Sequence, residues 1–190
     1  MFITKENLIE KGACSSGMQW FEQNFPEGGE YQEVLNKLAE QNEIGFAQWG
    51  LSQFGRTDTV LEVEEIDCSA SIFFAGSVVV KGLIKVANFL LAGRGIKAGW
   101  GIEAGRGIKA GSGIEAGSGI KAGSGIEAGS GIKAGWGIEA GSGIEAGDDF
   151  GIYAGLRVRI SLKKEYAVIH AKEEPRNIVC GEYKGAKDVG

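Results

Sequence analysis

From Ile96 to Ala146 an isoleucine recurs every six residues, at 96, 102, 108, 114, 120, 126, 132, 138 and 144, without exception. An alanine follows each isoleucine by two residues, and a single charged side chain stands between them. Side chains alternate across a β-strand, so isoleucine and alanine share one face and the charge takes the other. The link that follows, "GSG", "GWG" or "GRG", supplies glycine where a chain turns sharply. Each hexad therefore reads as a three-residue strand and a corner. Residues 93–151 hold 20 of the 33 glycines, while only 2 prolines occur in the whole chain, which excludes a collagen-like coil.

Stacked hexads make a parallel β-solenoid, and the charges decide how many hexads close one coil. The charged slot runs Lys97, Glu103, Lys109, Glu115, Lys121, Glu127, Lys133, Glu139, Glu145. Two hexads per coil would stack residues 12 apart, and six of the seven such pairs carry like charge. Three hexads would stack residues 18 apart, and five of six pairs are then opposite: 97/115, 103/121, 109/127, 115/133 and 121/139. Like charges on neighbouring strands about 4.8 Å apart repel, and opposite ones attract. The pattern predicts a three-sided coil. Duplication of a twelve-residue unit would also generate the alternation, without contradicting that shape.

The period continues upstream through Val60, Ile66, Ile72, Val78, Ile84 and Leu90, with Glu62, Cys68, Phe74, Val80, Val86 and Ala92 two residues on. Residues 71–93, "SIFFAGSVVVKGLIKVANFLLAG", thus fall into the repeat, and Lys81, Lys85 and Asn88 argue against a membrane span. A triangular coil of 18 residues resembles the left-handed parallel β-helix of hexapeptide-repeat proteins over roughly residues 60–160. The resemblance implies a left-handed coil, and it implies acyl transfer from coenzyme A by a histidine within the coils. No histidine lies in residues 60–160 here; the single one is His170.

The expected architecture is mainly β: a three-sided parallel β-helix at 59–163, with 18 residues per coil. A small α-helical module at 1–58 precedes it, and a C-terminal β cap and tail at 164–190 follow. In the module, Thr4 and Ser16 suit helix N-caps. Tyr31, Val34, Leu35 and Leu38 share a helical face, as do Phe46, Trp49 and Gln53 or Phe54, and Trp20, Phe21, Phe25 and Trp49 supply an aromatic core. Cys14 reads as a small buried residue beside it. The outward slots of the early coils hold Phe73, Val79 and Leu91 in place of charges, an apolar exterior that needs a cover: the helical module, or a partner. After Asp148 and Asp149 a two-residue insertion shifts the register to Ile152. "GLRVRISLKK" alternates Leu156, Val158, Ile160 and Leu162 as a half-buried strand, "EYAVIHAKEE" reads as another, and "CGEYKGAKDVG" as an irregular tail.

Residues 1–59 hold nine acids against four bases and carry the whole net charge of −5. No basic stripe marks a nucleic-acid binder. Three cysteines without CxxC spacing, and a start, "MFITKENLIEKG", unlike a signal peptide, lead to the expectation of a reducing cytoplasm. "GRGIKAG" lacks the GK[ST] of a phosphate loop, and no set of residues calls for a cofactor or metal. Trp100 and Trp136 replace serine in the corner slot 36 residues apart, with Arg94 and Arg106 in neighbouring slots. Tryptophan and arginine together suit a protein-binding edge. The opening "GACSSGMQWFEQNFPEGGEYQEVLNKL" and "EEPRNIVCGEYKG" are similar to modules of uncharacterised phage and prophage proteins. The expectation is a non-enzymatic protein-binding factor, presenting Trp100, Trp136, Arg94, Arg106, Phe73 and Leu91 to a host complex. An anti-CRISPR-like inhibitor is its most concrete form, with the acidic module occupying a nucleic-acid-binding groove. A hexapeptide-type acyltransferase and a structural or ice-binding solenoid are the alternatives, and an oligomer is compatible with all three.

Overall fold

A computed structural model describes residues 1–187 of the 190, so the last three residues of the expected tail lie outside it. The hexads form the anticipated strands, from Ile96–Ala98 to Ile144–Ala146. Each pairs in parallel with the strand 18 residues away, Ile102 beside Ile120 and Glu103 beside Lys121. Three parallel sheets result, two of seven strands and one of five, which wind into a solenoid of about seven turns. The first face runs from Val60–Val63 to Ile178–Cys180 and the second from Ile66–Cys68 to Glu182–Tyr183. The third runs from Ile72–Phe74 to Ile144–Ala146, and residues 171–177, where its next rung would fall, cross from the second face to the first without a strand. The isoleucines from Ile96 to Ile138 are at most 1% exposed and share one core with their alanines.

Burying an isoleucine is worth about 1.5–3 kcal/mol. The exposed rung pairs are worth about 0.2–1 kcal/mol each. Among the alternating pairs, Lys97–Glu115 closes to 3.8 Å, Lys109–Glu127 to 2.5 Å and Lys121–Glu139 to 3.4 Å. Isoleucine therefore holds the shaft together, and the charges select its stacking. One corner glycine shows why the link is so restricted. A Cβ on Gly105 would collide with the Ala87 carbonyl oxygen one coil below, whereas at Gly101 the nearest atom is 3.3 Å away.

The first coil departs from the expected register. Leu61 and Val63 pair with Val78 and Val80, so Glu62 stands outward beside Val79 and Val60 is exposed. Advancing the inward positions by one residue removes a glutamate from the shaft, which outweighs keeping the six-residue period. Downstream, Ile152 sits beside Ile132, so the Asp148–Asp149 insertion is absorbed in a corner. The expected strand over Leu156–Leu162 is not one. The segment turns into a short 3-10 helix, Ile160–Leu162, and α5, Lys163–Tyr166, because no sheet edge lies beside it. The expected irregular tail from Cys180 instead takes part in two strands, Ile178–Cys180 and Glu182–Tyr183.

The module contains α1 (Lys5–Glu10), α2 (Ser15–Asn24), α3 (Tyr31–Glu40) and α4 (Ile44–Phe54). Thr4 and Asn7 form a reciprocal capping box on α1. Ser16 caps nothing: α2 begins one residue earlier, after Cys14, which makes no side-chain cap. Cys14 is also exposed rather than buried. Tyr31, Val34, Leu35 and Leu38 are buried as their spacing implies. Phe73 and Leu91, 1% and 2% exposed, join that core, so the module covers the first two rungs of the third face. Gln32 completes the seam. Its amide donates to the Phe73 carbonyl at 2.8 Å and its oxygen accepts from the Ala75 N–H at 3.0 Å, taking the place of the rung missing below that strand. No helix among the described residues is long and apolar enough to cross a membrane.

Candidate functional site

A coil has three corners, and the residues at corresponding positions stack into columns. The column between the first and second faces reads Gly82, Trp100, Ser118, Trp136, Gly155, tied by backbone N–H···O bonds of 3.1, 2.9, 3.1 and 2.7 Å. The two tryptophans thus share one edge, two coils apart. Trp100 is 67% exposed and Trp136 51%. Tyr166 meets the Trp136 ring edge-on, with centroids 5.3 Å apart.

The arginines expected beside them are elsewhere. Arg94 belongs to the column of Gly76 and Ser112, and Arg106 to that of Asn88 and Ser124. Six residues are a third of a coil, so each arginine is carried to a different corner. Both have partners within the chain: Arg94 donates to the Thr57 carbonyl at 2.8 Å and pairs with Asp58, and Arg106 lies over the Phe89 ring. Phe73 and Leu91 are beneath the helices. Of the six candidate residues, only Trp100 and Trp136 come together on an open surface.

Other residues complete that surface. The excursion of residues 156–166 leaves the Trp136 corner at Gly155, whose φ of +78° and missing Cβ let it close against Ala167. Leu156 and Arg157 bond to the carbonyls of Ala134 and Gly135, at 3.2 and 2.9 Å. Arg157 then extends along the corner past Gly135 to Gly117, between the two tryptophan levels. Leu156 and Leu162 are exposed, and Ile160 is 90% exposed. Arg159, Lys163 and Lys164 are exposed on the same excursion. The Lys184 ammonium fixes α5 by donating to the Lys164 carbonyl at 2.8 Å. The sequence signal for this cluster was four bases among apolar residues in "LRVRISLKK", which a strand reading had absorbed.

Beside the corner, Trp136 and Tyr166 wall a shallow groove of about 680 Å³ on the second face, with His170, Lys187 and Glu139 along its length. Burial pushes the Glu139 carboxyl upward, but the ammonium groups of Lys187 and Lys121 outweigh it and hold the group below its ordinary range. His170 stands in register with Glu139, and its Nδ1 lies 3.0 Å from the Gly185 carbonyl. Among the described residues no three His, Cys, Asp or Glu side chains are grouped to hold a metal ion.

Residues 1–55 match the model of a family described as the YdhT N-terminal domain, and the match stops at the end of α4. No curated protein and no solved structure matches the chain.

Proposed function

We propose that the chain is a non-enzymatic binding protein that engages a protein partner through the corner carrying Trp100 and Trp136. The supporting observation is the cluster itself: two tryptophans, a tyrosine and exposed Leu156, Ile160 and Leu162, interleaved with Arg157, Arg159, Lys163 and Lys164. Contiguous exposed apolar surface rimmed by charge is the chemistry of an interface, and Trp, Tyr and Arg dominate interface energetics. The cations direct the site toward an acidic surface on the partner. The narrower form of this reading, a phage-encoded inhibitor of a bacterial defence complex, rests on the likeness of the flanks to phage modules. A cytoplasmic setting accords with three free thiols. The six-residue period supports placing the prism with the left-handed hexapeptide-repeat coils.

The test is affinity capture from nuclease-treated bacterial lysate with the natural chain and with a Trp100→Ala/Trp136→Ala variant. The expected result is a partner held by the first, lost by the second, and released by moderate salt. Identical retention by both, or dependence on nucleic acid, overturns the reading.

A further inference from the structure

The helical module holds a half-open apolar pocket of about 360 Å³, lined by none of the residues of the tryptophan corner. Its floor is α3, through Tyr31, Leu35 and Leu38, and its walls are α2 and α4, through Trp20, Phe21, Phe46 and Trp49. Its open side is lined by small residues, among them Gly12, Cys14, Gly17 and Gly45. A Cβ at Gly12 or Gly45 would meet nothing within 4 Å. No charged side chain lines the space. Two of its polar groups are already engaged, since the Tyr31 hydroxyl donates to the Gly55 carbonyl and Trp20 Nε1 to the Gln41 amide oxygen.

The size of this space matters because the module is small. Apolar surface left facing this half-open space forgoes burial that so small a module can use, and a ligand seated there would restore it. Water that enters through the open side meets almost no polar partner on the lining, so an apolar ligand displaces it readily. An engineered apolar cavity of about 150 Å³ holds one benzene, so 360 Å³ has room for roughly a dozen carbons.

We propose that the module is a receptor for a small hydrocarbon ligand, the medium-length aliphatic chain of a lipid-like molecule, with its polar end left at the mouth beside Cys14 and Gly17. Recognition is by apolar volume, so the head group contributes little.

Trp20 and Trp49 line the site, which supplies a direct readout. In the Trp100→Ala/Trp136→Ala background they are the only tryptophans left in the chain, so failure at the corner and failure here are read separately. Titration with dodecanol is expected to shift tryptophan emission and, at about a hundredfold excess over Kd, to raise Tm by several degrees. Dodecanoate should bind about as well. Gly50→Leu, whose added side chain enters the space near Tyr31, should abolish the shift while melting above the natural chain without ligand. Gly17→Met plugs the opening beside Phe46 and should act in the same direction, which keeps the test decisive if Gly50→Leu fails to fold. The proposal is overturned if no straight-chain alcohol changes the emission or Tm. Undiminished binding in both filled variants overturns it too, as does binding of dodecanoate alone with strong salt dependence.

Discussion

The prism and the helical module solve the same problem with opposite vocabularies. From Ile96 onward the buried core of the prism uses two residues, isoleucine and alanine, repeated along one shaft. The module draws on Trp, Phe, Tyr, Leu, Val and Ile, yet leaves a half-open gap of about 360 Å³. Repetition explains the difference. When every rung presents the same side chains to the next, one good fit is copied along the whole length. An irregular set of helices has to fit each contact separately, and large aromatic rings on short helices leave room between them.

Five substitutions break or sharpen this contrast. Phe73→Ala removes the side chain that joins the two regions and should cost about 4 kcal/mol. Denaturant unfolding should then split into a module transition and a later prism transition, where the natural chain shows one. Gly105→Ala drives a methyl into the backbone of the coil below, with an expected loss of about 3 kcal/mol, while Gly45→Ala in the open part of α4 should be neutral or slightly stabilising. Thermal melts of the two side by side make the comparison direct. Gln32→Ala leaves the Phe73 carbonyl and Ala75 N–H unpaired and should cost about 1–3 kcal/mol, read as faster amide exchange at Ala75. Smallest is Glu145→Lys. Glu127 and Glu145 are the like-charged neighbours in the alternating ladder, and reversing one should gain about 0.2–1 kcal/mol, a gain that fades in high salt.

The prism was legible because strand period and corner chemistry both report the six-residue unit, and charge sign reports how many units close a coil. Ile102 falls beside Ile120 because registers that keep isoleucine dry come in steps of six, and a step of eighteen, unlike twelve, sets lysine beside glutamate. Where that redundancy lapses, reading fails. At Val60 one glutamate in an inward slot was the only sign of a slip, and it passed as an exception within an otherwise apolar set. Leu156 to Leu162 alternate faithfully, yet alternation specifies a strand only where a sheet waits to receive it, and none does. The shared edge of Trp100 and Trp136 follows from their separation of two coils. The same arithmetic would have sent Arg94 and Arg106 to other edges. Nothing in the sequence foretold the gap beside Tyr31, since it arises from how four helices meet rather than from any one of them.

Gene slippage in a tract this repetitive would add or drop the twelve-residue unit "GIKAGSGIEAGS". Such a change leaves every isoleucine dry and every lysine still beside a glutamate, so thermal stability would barely register it. Its effect is rotational. Twelve residues are two-thirds of an eighteen-residue revolution, so everything beyond the change swings to another side of the prism and Trp136 parts company with Trp100. Only three units together restore the alignment. Length variants of this protein would therefore be stable but aimed differently, with tract length acting as a dial for where the far end points.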